Sequence, residues 1–246
     1  MDKKLDFKSL EEKGQLNPDI WTEDKKLRPE VRKRLIQLAL RFYKDLEINW
    51  AQLKDINFTG SLANYNWSKY SDIDLHLIVD FKEIDERVGL VENYLKAKKS
   101  LWNDRHDITI HGAEVEVYVQ DEAQPHYSSG IYSIMFDEWK VEPKEPTLDS
   151  KEFDRDAIKK KVKDLNKMAD EITRMAEAAD SKEDRLHILK LIDRLQDKIK
   201  NMRQCGLEKT GEFSTENLTF KLLRREGYLE KLQNTELKTF DSLMSI

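Results

Sequence analysis

The chain predicts an α+β fold, with a small mixed sheet carrying helices on one side, followed by an α-helical C-terminal domain. Three observations predict it. Between about residues 50 and 120, short β-branched runs alternate with helix-length amphipathic stretches. After Pro143 and Pro146 the texture turns wholly helical. Within the first part, a Gly-Ser turn stands ahead of an Asp-x-Asp pair on an apolar strand.

The elements follow in order. Residues 1–28 are polar and punctuated by Gly14 and Pro18, and read as an extended N-terminal arm anchored by Trp21. Pro29 suits a first helical turn, and Val31, Leu35, Leu38, Phe42 and Leu46 then recur at spacings of four and three, one helical stripe. The core continues as strand 55–59, a short helix near 61–67, strand 72–80, helix 83–101, strand 107–111, a turn at His111-Gly112 and strand 113–120. Residues 131–136 and 139–141 read as a hairpin around Asp137-Glu138, a turn that lacks the Gly or Asn a two-residue connection favours. This places one domain at 29–142 and a linker at Pro143 and Pro146. Residues 150–246 form the helical domain. Ile158, Val162, Leu165, Met168, Ile172 and Met175 make one stripe, and Ile188, Ile192, Leu195, Ile199 and Met202 another. Ser181 and Asp184 form a capping box for the second helix. A third helix runs from about Ser214 to Arg225, stopped by Gly227, and a short fourth lies near 228–233. Apolar stripes of this kind are bundle core and not a cofactor site.

Composition narrows the function. Of 246 residues 37% are charged and the net charge is −5. Residues 1–150 hold 22 Lys and Arg against 29 Asp and Glu, whereas 151–246 hold 21 against 19. No strong basic footprint for a long polynucleotide appears. Lys159, Lys160, Lys161 and Lys163, and separately Lys221, Arg224 and Arg225, read as solvated helix faces. The single Cys205 excludes an internal disulfide and a thiolate zinc cluster, and suits a reducing compartment. Met1 to Asp6 lack the apolar run of a signal peptide, and no stretch is long enough to span a bilayer, so a cytoplasmic protein is expected.

The chemistry concentrates in Phe58-Thr59-Gly60-Ser61 and Ser71-Asp72-Ile73-Asp74-Leu75. Asp72 and Asp74 lie two apart on a strand, so both carboxylates point to one face. Such a pair is costly unless cations compensate, and hard divalent ions with oxygen ligands do so while aligning phosphates. Gly60-Ser61 follows a strand and opens a helix-like turn, so its backbone N–H groups suit an anion-binding nest. His76 shares the aspartates' face and reads as a satisfied, half-buried histidine. His106, His111 and His126, with Asp104, Asp107 and Asp121, fit no metal-ligand spacing. Ser128-Ser129-Gly130 reads as turn chemistry. The phosphate-loop lysine motif and the Rossmann glycine fingerprint are both absent.

These segments resemble the catalytic core of the DNA polymerase β-like nucleotidyltransferases, whose signature is an apolar residue, Gly-Ser, a gap of roughly ten residues, Asp-x-Asp, and a third carboxylate on a later strand. Here that third part falls in Ala113-Glu114-Val115-Glu116-Val117-Tyr118-Val119. Glu116 is the better match, and Glu114 on the same strand face is the alternative. The chain is also similar to nucleotidyltransferases of tailed bacteriophages, through Leu16-Asn17-Pro18 with Trp21 and through Leu27-Arg28-Pro29-Glu30-Val31-Arg32. The resemblance implies that Asp72, Asp74 and Glu116 bind two Mg²⁺ ions, or Mn²⁺, and that Gly60 and Ser61 hold the β- and γ-phosphates of an NTP. It implies transfer of a nucleoside monophosphate to an acceptor hydroxyl with release of pyrophosphate, Glu116 lying nearest the attacking oxygen. In members of the superfamily a helical domain commonly closes the cleft over nucleotide or acceptor. The acceptor, whether an RNA 3′ end, a protein side chain, a second nucleotide or a small molecule, is not written in the sequence, and a phage origin would place the protein in host cytoplasm. The alternative from another class is a non-catalytic module on the same fold, sensing nucleotide or serving phage assembly or anti-defence. Three carboxylates at the expected positions argue against it, because a dead descendant has no physical reason to keep like charges crowded.

Overall fold

Alternation of β-branched residues with polar ones gives strands with two unlike faces, and in this chain the difference between those faces organises the first half. The computed structural model describes residues 5–125, 128–145 and 153–245. His126 and Pro146 lie outside the described residues, as does most of the expected linker. The chain divides into two units, one of Lys8–Ser150 and one of Met1–Phe7 with Lys151–Ile246. The fold is α+β: among the described residues it holds a six-stranded mixed sheet and seven α-helices.

In the first unit the strands are β1 (Leu53–Thr59), β2 (Ile73–Val79), β3 (Thr109–Ile110), β4 (Ala113–Asp121), β5 (Ile131–Ser133) and β6 (Glu138–Val141), in the order β3-β4-β2-β1-β5-β6. Only β2 and β4 pair in parallel. A parallel pair requires a crossover, and α2 (Phe81–Ile84) and α3 (Val88–Arg105) provide it. Ile73, Leu75, Leu77 and Val79 of β2 enter one apolar core with Val31, Leu35 and Phe42 of α1 (Pro29–Asp45) and with Val91, Leu95 and Trp102 of α3. The opposite face of β2 carries Asp74 and His76, both half-buried.

Several expected elements are reshaped by local chemistry. The helix expected at 83–101 is two helices, because the Asp85 carboxylate accepts the Arg87 backbone N–H at 2.8 Å and breaks the run. The short helix near 61–67 is a 3-10 turn at Ser61–Ala63. The strand at 107–111 shrinks to two residues, joined to β4 through His111 and Gly112, both at positive φ, as a two-residue type I′ hairpin demands. At the β5–β6 turn Asp137 takes the left-handed position (φ 59°) and accepts the Tyr132 hydroxyl at 2.7 Å.

Of the arm expected at 1–28, residues 8–28 belong to the first unit, and Leu16, Ile20, Trp21 and Leu27 sit in its core. These apolar residues follow no helical or strand period, because the segment folds by tight turns closed on the Asn17 carbonyl and between Thr22 and Lys26. Trp21 stacks on Phe58 (5.5 Å) and Trp139 (4.6 Å), meets Tyr132 edge-on (5.1 Å), and donates its indole N–H to the Leu62 carbonyl at 2.7 Å.

The second unit contains α4 (Arg155–Glu177), α5 (Lys182–Thr210), α6 (Thr215–Arg225) and α7 (Tyr228–Met244), all in mutual contact. Met168 and Met175 are exposed, and Ala169 takes the inward place on α4 instead: the buried Ile158, Val162, Leu165, Ala169 and Ile172 keep a four-three repeat, which two successive steps of three at Met168 would break. Ser181 caps α5 by accepting the Asp184 N–H at 3.0 Å. The fourth helix, expected near 228–233, runs to Met244. Its inner stripe after Leu232 is Thr235 and Thr239, whose hydroxyls bond carbonyls four residues back, so no apolar period marks it.

Trp21→Ala is expected to lower unfolding free energy by about 3–5 kcal/mol through the lost stack. Trp21→Phe, which keeps a ring but strands a buried carbonyl, should lower it by about 1–3 kcal/mol. Urea unfolding followed by circular dichroism checks both, and equal losses would assign the effect to the hydrogen bond that both variants lose and not to the stack.

Candidate active site

The register of three strands builds the site. Thr59 of β1 pairs with Asp74 of β2, and Asp74 with Glu116 of β4, so the two carboxylates occupy adjacent parallel strands in one transverse row. Asp72 immediately precedes β2. Glu114 pairs outward with Thr109 of β3 and is exposed, whereas Glu116 is half-buried. The structure thus brings Glu116 next to Asp74 and sets Glu114 near the hairpin at the sheet edge.

The Gly-Ser turn lies against this row. Gly60 has φ 80° and ψ −166°, a conformation almost confined to glycine. A Cβ there would lie 1.9 Å from Asp74 Oδ2, so only a bare Cα lets the turn approach the carboxylate. Ser61 donates its hydroxyl to Ser71 Oγ at 2.7 Å, and Ser71 Oγ accepts the Ser68 N–H at 2.9 Å. The phosphate-loop candidate and the Asp-x-Asp segment are therefore latched together one residue ahead of Asp72. From behind, the Trp21 indole holds the Leu62 carbonyl of the same turn. The loop at 128–130 also packs here: Asn64 Nδ2 donates to Ser129 Oγ at 2.5 Å, and a Cβ on Gly130 would meet the Ala63 carbonyl at 2.0 Å.

A second row backs the first. Asn57, His76 and Tyr118 pair across β1, β2 and β4. The Tyr118 hydroxyl donates to Glu116 Oε2, and burial, that bond, and the negative charges of Asp74, Glu116 and Asp72 push its pKa far above the ordinary phenol range. It is held as a donor that fixes the Glu116 carboxylate. The His76 ring stacks on Tyr118 (4.8 Å), with Nδ1 3.0 Å from Gln120 Oε1, which accounts for this histidine without metal. Lys99 of α3 lies 4.0 Å from the Tyr118 ring centroid, bringing a cation beside the acidic row. Asn103 clamps the Val117 backbone through both its N–H and its carbonyl, each at 3.2 Å, and so fixes the height of Glu116.

Sequence reading did not mark Ser71, Tyr118 or Asn103. The strand period could have found Tyr118, since it lies two residues from Glu116 on one face, but nothing local marks the other two. Asp55, buried at the far end of β1, was also unmarked; it accepts Ser133 Oγ at 2.7 Å and pairs with Lys140 at 2.5 Å.

The donor set of Asp72, Asp74 and Glu116 is all hard oxygen, with Asp74 and Glu116 paired on neighbouring strands and Asp72 just ahead of β2. That chemistry fits Mg²⁺ or Mn²⁺. Among the described residues, however, no three His, Cys, Asp or Glu side chains stand grouped as a finished metal cage. No helix among them is long and apolar enough to cross a membrane. Comparison with protein-family models, with curated proteins and with solved structures finds no match.

Gly60→Ala should destabilise the fold by at least about 1–3 kcal/mol from backbone strain alone, with the contact to Asp74 adding to that. Asp74→Ala removes the contact but not the strain. A thermal-denaturation double-mutant cycle should therefore show a coupling of at least about 0.5 kcal/mol in favour of the pair, and strict additivity would refute the packing of Gly60 on Asp74.

Proposed function

We propose that this protein is a nucleotidyltransferase that moves a nucleoside monophosphate from an NTP to an acceptor hydroxyl and releases pyrophosphate. The observation that carries the reading is the pairing of Asp74 with Glu116 on neighbouring parallel strands against the Gly60–Ser61 turn. Two carboxylates so placed repel each other, and a fold that keeps them together beside a glycine turn has the charge layout for phosphate chemistry.

In this reading Asp72, Asp74 and Glu116 would hold two divalent ions, Mg²⁺ or Mn²⁺, whose chemistry is to neutralise phosphate charge and lower the pKa of the acceptor hydroxyl. The remaining work belongs to the chain. Gly60 and Ser61 offer backbone N–H groups to the β- and γ-phosphates. The attacking oxygen forms its bond to the α-phosphorus as the bond to the bridging oxygen breaks, and pyrophosphate leaves with that electron pair. Glu116, whose carboxylate accepts the Tyr118 hydroxyl, would be the group that takes up the hydroxyl proton. Positioning is the main contribution, so small displacements are costly.

A second reading, a non-catalytic nucleotide-sensing or assembly module on the same fold, is favoured by one observation, the lack of a finished three-ligand cage among the described residues. Asp74→Asn separates the two readings. A sensing module should keep its function and gain stability through relief of repulsion, whereas an enzyme should lose turnover with its fold intact.

With α-labelled NTPs, Mg²⁺ and a cell extract as acceptor source, the wild-type chain should transfer label and release pyrophosphate. Asp74→Asn and Glu116→Gln should each reduce transfer by about 100-fold or more, while Glu114→Gln leaves most of it. Consumption of none of the four NTPs, together with no thermal shift from NTP plus Mg²⁺, would sink the enzyme reading. A dead Glu114→Gln beside an active Glu116→Gln would exchange the two roles.

A further inference from the structure

Three lysines stand close together on α3, and two of them are paired. Lys96 meets Glu92 at 2.7 Å, and Lys98 meets Glu47 at 3.7 Å and the Asp45 carbonyl at 3.2 Å. Lys99 is half-buried and, among the described residues, makes no ion pair and no hydrogen bond. Its ammonium lies instead 4.0 Å from the Tyr118 ring centroid.

The helix builds that placement. Asn103 lies four residues further on, on the same face of α3, and holds the Val117 backbone on both its N–H and its carbonyl. β3 pairs only with Ala113 and Glu114, so beyond Glu114 the edge of β4 away from β2 is covered by α3 and not by a strand. Lys99 therefore reaches Tyr118 from the edge, while His76 stacks on the same ring at 4.8 Å from the β2 side. The Tyr118 hydroxyl in turn donates to Glu116, which pairs with Asp74. One phenol ring thus links an ammonium to the acidic row, well inside the screening length of about 10 Å. A cation is drawn to the electron density of a ring, and a phenol that donates to a carboxylate has more of it to offer.

We propose that Lys99 is the resident counter-cation of the acidic row. Its ammonium offsets the charge of Asp74 and Glu116 while no divalent ion is held there, and by the same charge it weakens the row's grip on such an ion. The second effect rests on the metal-binding reading of Asp72, Asp74 and Glu116; the first needs only their negative charge. Lys99 acts through its field and not as a ligand, which makes it a positioning residue for the charges of the site.

Two measurements on the full chain test it. In EDTA, Lys99→Met, which keeps an apolar stem over the ring, should lower the melting temperature of wild type by about 2 °C or more. In the Glu116→Gln background the same change should cost less than half as much, since part of the charge it offsets has already gone. In MnCl₂ titrations followed by paramagnetic resonance, Lys99→Met should bind Mn²⁺ about threefold or more tightly than wild type, a gain that a merely structural role would not produce. Lys96→Gln removes the same charge from the same helix and should leave Mn²⁺ affinity within about 1.5-fold. Lys99→Gln supplies both readouts should Lys99→Met fold poorly. Melting losses that are absent, or equal in the two backgrounds, overturn the proposal. So does a wild type that binds Mn²⁺ beside a Lys99→Met that binds it no more tightly. Lys96→Gln tightening Mn²⁺ as much as Lys99→Met overturns it in favour of net charge alone. Mn²⁺ binding to neither wild type nor Lys99→Met sinks the metal reading of the row, and the EDTA measurement then decides the counter-cation by itself.

Discussion

The parallel register between β2 and β4 is the constraint on which the first unit depends. It sets Asp74 beside Glu116 at the spacing of neighbouring strands, about 4.8 Å. Much nearby structure makes that placement tolerable. The apolar alternation of Ile73, Leu75, Leu77 and Val79 fixes the other face so firmly that the strand cannot slip by one residue. The Asn103 clamp on Val117 holds β4 in height, and Tyr118 offers one carboxylate a hydrogen bond in place of water.

The same register explains what could be read in advance. Strong period-two and period-3.6 patterns placed α1, β1, β2, β4 and the first three helices of the second unit close to their observed bounds. The His111-Gly112 turn was legible because only left-handed-tolerant residues fit it. What escaped is what has no period. The segment from 8 to 28 folds on turns around Asn17 and on aromatic stacking over Trp21, with partners more than 30 residues away. The latter part of α7 hides its inner face behind threonines that satisfy themselves on the helix backbone. Of the candidate site, the carboxylates and the Gly-Ser turn stood out from residue type and spacing. Ser71, Asn103 and Lys99 act through tertiary contacts that no local window contains.

At the far end of β1, a buried carboxylate is tolerated differently. Asp55 accepts its bonds from the Ile56 N–H, the Ser133 hydroxyl and the Lys140 ammonium. The last two of these partners come from β5 and β6, so the charge that must be compensated also joins the three strands. One strand thus carries an ion-paired acid near its start and a bare glycine, pressed on an acid of its neighbour, at its end. The first arrangement serves cohesion; the second leaves a carboxylate beside a turn of backbone donors.

The contact between Gly60 and Asp74 has a consequence for how this sequence can change over time. While a carboxylate stands at position 74, position 60 has no neighbour in mutational space that fits, since even one added methyl group collides with it. If position 74 shrinks, the collision disappears, and only the backbone dihedral still resists a side chain. Drift is therefore ordered: the acid must go first and the glycine can follow. A descendant that has abandoned the acidic row would carry the trace of that order, a surviving glycine opposite a vanished aspartate, before it lost both.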